Sequence, residues 1–247
     1  MFFLDDVVWI WYYDRQGTIQ SSGINFIQDL PRFLVLLYAL QRFPDLGRNS
    51  AFTEENGSHK ITVPDERFGS VDLELHTSHE DQVTNYGLKG RATNMFPVTS
   101  KVLADAFPDA KEDGMVATIF WAEDQRTSEP DILKKVEEIA SSNANVKDHI
   151  PDLFWYYKFD ESTSEIRKLL GFPEPKKGSR ALYILVFRRL RPITELCGKD
   201  FFNVWQQCIL CTWFLYLYCC SLKWCAFQAI SISGREGSIT ETSALLT

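Results

Sequence analysis

Apolar and polar positions alternate or repeat in a way that predicts a mixed chain of strands and helices. Val7 to Tyr13 reads Val-Val-Trp-Ile-Trp-Tyr-Tyr, nearly all strand formers. Asp14-Arg15-Gln16-Gly17 then predicts a turn and Thr18 to Ser21 a returning strand. Asp29-Leu30-Pro31 opens a helix, with Ile27, Leu30, Phe33, Leu34, Leu37 and Tyr38 at helical spacing and Pro44 and Gly47 ending it. A hairpin is predicted around Ile61-Thr62-Val63 and Val71 to Leu75, the second run alternating apolar and acidic residues. Gly87 to Thr93 reads as a strand and a glycine turn before a strand at Asn94 to Val98. Val116 to Trp121 is the next strand. Ile132, Leu133, Val136 and Ile139 give one face of the helix after it, with Lys134, Lys135, Glu137 and Glu138 on the wet face. A short strand or loop starts at His149, residues 160–180 read as a charged hairpin tip, Ala181 to Phe187 is a buried strand, and a helix follows from about Lys199.

Composition narrows the classes. With 247 residues and 45% hydrophobic content the chain can bury a sizeable core. A net charge of −7 without a dominant basic cluster argues against nucleic acid as a partner. The N-terminus meets Asp5 and Asp6 early and has no charged n-region, so no secretory signal is expected and an intracellular, cytoplasmic location is. All six cysteines lie from Cys197 to Cys225, far from the four histidines. Cys208-x-x-Cys211 therefore reads as buried or lipid-facing thiols rather than a metal pair.

The run from Phe201 to Leu222 carries no charge. It is long enough to cross a bilayer core, and 205–222 is a candidate membrane anchor. The alternatives are a helix that partly covers the rest of the fold, or one covered by a partner protein, because an apolar surface of this size is not neutral.

Five stretches occur in order: Tyr13 to Gly17, Asp29 to Phe33, Leu88 to Thr93, Arg126 to Pro130, and Phe187 to Leu196. Through them the chain resembles the fungal-type protein kinase family over roughly residues 7 to 211. The resemblance implies an α+β fold: a protein-kinase-like small lobe of twisted antiparallel sheet plus one main helix, an N-terminal family-specific hairpin and helix, and a remnant large-lobe helix. The corresponding segments are 1–85, a lobe and hinge at 86–198, a remnant or membrane helix at 199–223, and a polar tail at 224–247.

The resemblance also implies ATP and Mg²⁺ as cofactors. Leu88 to Val98, with Gly90 and Thr93, would form the turn over the nucleotide. Thr118 falls where the family's strand lysine stands, and Glu129 would be its helix partner. A threonine hydroxyl supplies no positive charge to phosphates. No His-Arg-Asp and no Asp-Phe-Gly occurs in the sequence, so no catalytic residue and no metal ligand is assigned. The expected function is a truncated, inactive kinase-like protein, or pseudokinase. The alternatives are an interaction module, membrane-anchored or not, and an active kinase whose gene model fails after Cys211.

Overall fold

A computed structural model describes residues 2–42, 49–55, 58–78, 82–84, 89–142, 146, 149–172, 176–190 and 195–218. They fall into two compact units, Met1–Arg126 with Phe154–Arg188, and Thr127–Leu153 with Arg189–Thr247.

The first unit begins with short strands. β1 (Phe2–Leu4), β2 (Val7–Trp9) and β5 (Ile24–Asn25) make a small sheet, while β3 (Trp11–Asp14) and β4 (Gly17–Gln20) make a separate hairpin. The turn at Asp14 to Gly17 is the predicted one. Helix α1 (Leu30–Gln41) follows, with Pro31 in its first turn.

The main sheet has seven strands. These are β6 (Phe52–Glu55), β7 (Ser58–Asp65), β8 (Gly69–Leu75), β9 (Asn94–Thr99), β10 (Met115–Glu123), β11 (Leu153–Ser162) and β12 (Arg180–Arg188). Their order is β11-β12-β10-β9-β8-β7-β6. Alternation sets the core face. Ile61 pairs with Leu73 and Val63 with Val71, so four apolar side chains meet on one side while Thr62 and Asp72 face the other. Met115, Ala117 and Ile119 of β10 and Leu182, Ile184 and Val186 of β12 continue that core. Helices α2 (Lys101–Ala106) and α3 (Pro108–Asp113) connect β9 to β10 and add Leu103 and Ala110 to it.

The central strands are buried on both faces. Thr118, Phe120, Tyr183 and Leu185 lie opposite the core and are also buried. The near-continuous apolar run of β12 is the sequence mark of this two-sided burial. Pro97 sits in β9 at the end of its pairing with β8. Its carbonyl accepts from the His76 N–H, one residue past β8, so the donor that proline lacks is missing only at the end of that ladder.

Several elements differ from the sequence reading. Residues 160–180 are not simply a hairpin tip, because they contain helix α5 (Thr163–Leu169). Strand β6 and the six-residue helices α2 and α3 are also additions, all too short to show a period. Helix α1 forms as predicted, yet none of its residues is buried, and Leu34, Val35 and Tyr38 remain more than half exposed. The strand expected at Gly87 and Leu88, the stops at Pro44 and Gly47 and the polar tail lie outside the described residues.

The N-terminal hairpin is tied to α5 by a buried ion pair. Arg167 Nε and Nη2 donate to Asp14 Oδ2 and Oδ1 at 2.8 and 2.7 Å. The two side chains are 6% and 5% exposed. Asp14 Oδ1 also accepts from the Gln16 and Gly17 N–H groups, so its carboxylate is saturated. Thr163 Oγ1 donates to Gln16 Oε1 beside it. Burial, and then the Asp14 carboxylate, push the Tyr12 phenol up.

The second unit holds α4 (Glu129–Ser142) and α6 (Gly198–Tyr218). Ser128 opens α4 by accepting from the Asp131 N–H and donating to the Asp131 carboxylate. Val136, Ala140, Val146 and Cys211 form this unit's core, with Ile132, Ile139 and Ile150 against it. Among the described residues no helix is long and apolar enough to cross a membrane. Residues 219–222 of the candidate anchor lie outside them.

Removing one partner of a buried pair strands the other's charge, whereas a surface pair is worth little. Asp14→Ala is therefore expected to lower unfolding stability by roughly 3–5 kcal/mol. Asp113→Ala, which breaks the Arg188–Asp113 pair whose side chains are 35% and 37% exposed, should cost less than about 1 kcal/mol. Urea midpoints of the two variants decide it, and equal losses would refute the ranking.

Candidate functional site

Thr118 stands in the middle of β10, in register with Met95 on β9 and Leu185 on β12. It is 6% exposed. Two residues on, and so on the same face, lies Phe120. The Phe120 ring is 1% exposed and stacks on Tyr183 with centroids 5.7 Å apart.

The turn that leads into β9 approaches this end of β10. Gly90 has φ +94° and Ala92 φ 42°, so two left-handed residues flank Arg91. The Trp121 N–H donates to the Arg91 carbonyl at 2.8 Å, which fixes the turn against β10. The Gly90 N–H donates to the Arg15 carbonyl of the N-terminal hairpin at 3.2 Å. Asn94 Nδ2 donates to the Ala92 carbonyl at 3.1 Å. The Arg91 guanidinium lies over the Phe120 ring, 4.4 Å from its centroid. Thr93 is half-buried, one residue before Asn94, which pairs with Ile119.

Gly90, Thr93 and Thr118 thus belong to the first unit and gather around one half of β10, whereas Glu129 opens α4 in the second. Sequence reasoning did not single out Arg91. Its signal was the alternation that puts Phe120 on the face of Thr118, together with a cation next to the turn glycine.

The fit to the implied cofactors divides. Among the described residues no group of three or more His, Cys, Asp or Glu is placed to hold a metal ion. Burial, and then the neighbouring Cys208, push the Cys211 thiol up, which makes it a poor nucleophile and ligand. Phosphate is different. Thr118 offers it no charge, but the Arg91 fork lies on the same face of the strand. A polar cavity of about 470 Å³ lies elsewhere in the first unit, beside Lys158 and Ser179, and none of Gly90, Thr93, Thr118 or Glu129 lines it.

A family model described as fungal protein kinase matches residues 1–198. The chain belongs to the fungal protein kinase family. Comparisons with curated proteins and with solved structures give no match. The α+β fold, with its antiparallel sheet and few helices, agrees with the kinase-like lobe that the sequence resemblance implies. The glycine turn at Gly90 to Ala92 leads into β9, α2 and α3 connect β9 to β10, and α4 follows β10.

A methyl group added at Gly90 would meet no heavy atom within 4 Å. Gly90→Ala is therefore expected to fold, at a cost of about 1–2 kcal/mol from the left-handed backbone alone. Chemical denaturation measures this, and a loss several times larger would mean that the turn is packed.

Proposed function

We propose that this chain is a pseudokinase: a kinase-like module whose lobe receives a nucleotide but does not transfer its phosphate. The observation that carries this reading is Thr118, a buried, neutral side chain at the position where the resemblance expects the lysine that contacts ATP. Phosphoryl transfer depends almost wholly on positioning and on charge held around the phosphates. A neutral residue at that position removes one of those charges. Gly90, Thr93 and Thr118, all in the first unit, are the residues assigned to the nucleotide, and ATP is the ligand that family membership supports.

A second reading is favoured by the exposed apolar side chains. Phe202 and Trp205 of α6 are 65% and 51% exposed, as befits an interaction module whose C-terminal helix is covered by a protein partner. The nucleotide reading is preferred because the family match covers the strands that would hold one.

Thermal melts with and without ATP test the proposal. A ligand at 100 times its Kd adds about 2.7 kcal/mol to stability. The expected result is a rise in Tm with ATP and no transfer of labelled phosphate to a generic protein substrate. No shift at millimolar ATP counts against the nucleotide, and measurable transfer counts against inactivity.

A further inference from the structure

We propose that Arg91 supplies the positive charge for a nucleoside triphosphate's phosphates that Thr118 does not. The inference rests on the nucleotide-binding reading above and adds a residue to it.

Three observations converge. Thr118 and Phe120 project from the same face of β10, about 7 Å apart along the strand. The Arg91 guanidinium sits 4.4 Å from the centre of the Phe120 ring, so a fixed cation lies on the face where a lysine at 118 would present one. The backbone that carries it is held at both ends, by Trp121 N–H to the Arg91 carbonyl and by Gly90 N–H to the Arg15 carbonyl. The charge is thus delivered from the turn instead of from the strand.

Arginine suits the task. Its guanidinium stays charged at any working pH and presents its donors as a planar fork that matches two phosphate oxygens. Stacking on an aromatic ring uses the flat face of that group, while its N–H donors lie in the plane at the rim. The buried Phe120 ring therefore acts as a platform that limits the rotamers of Arg91, and less freedom is lost when phosphate arrives.

Binding of ATP and of adenosine to the full chain, measured by calorimetry, tests this. Wild type is expected to prefer ATP. Arg91→Met should weaken ATP by about tenfold or more and leave adenosine unchanged, because only the phosphates lose a partner. Adding Thr118→Lys to Arg91→Met should restore most of the ATP affinity. Arg91→Lys, which keeps the charge but loses the fork, should weaken ATP several-fold, and it carries the test if the methionine variant does not fold. ATP affinity unchanged in the folded variants overturns the role of Arg91 and leaves the nucleotide reading standing. A wild type that binds neither ATP nor adenosine overturns that reading, and this inference with it.

Discussion

The carboxylate of Asp14 and the guanidinium of Arg167 are the constraint on which the first unit depends. Both are almost fully buried, and a buried charge is tolerable only when paired and fully hydrogen-bonded. Two N–H donors of the turn and two of Arg167 meet that condition at Asp14. The pair joins positions 153 residues apart. The hairpin of β3 and β4 is therefore a part of the lobe, and taking it away would leave Arg167 buried without its partner. The family match includes this hairpin.

The same turn connects the hairpin to the candidate site. Arg15 accepts from the Gly90 N–H, and Gly90 precedes the arginine that lies on Phe120. One short turn thus braces α5 on one side and the glycine turn on the other. Two-sided burial of β10 and β12 does the rest, because strands packed on both faces hold their register against slippage. A neutral residue at 118 is at home in that setting. A threonine in a covered strand needs far less compensation than a lysine, whose ammonium needs a counter-charge or a ligand.

The longer strands and helices were legible because each carries its own pattern. Val71 to Leu75 alternates, Ala181 to Phe187 is apolar throughout, and α4 shows an apolar stripe that ends in Val136 and Ile139. Thr118, Gly90 and Thr93 were named through the family resemblance and not through a period of their own. Helix α5 was not legible, since its charged residues, including Arg167 and Lys168, read as a wet loop. Arg167 is buried only because Asp14 reaches it from another part of the chain. Helix α1 is the reverse case: its periodicity was real, but a period shows which face is apolar and not whether anything covers it.

By itself the sequence determined the longer local elements and the neutral side chain at position 118. Neighbouring residues decide whether a segment alternates or repeats, and a threonine at 118 is neutral in any fold. Only the tertiary structure decided where charge went. It placed Arg167 on Asp14 and Arg91 on Phe120, and it brought the hairpin to Gly90. These contacts join residues far apart in the chain. They depend on distance and burial in three dimensions, which the spacing of residues along the chain does not encode.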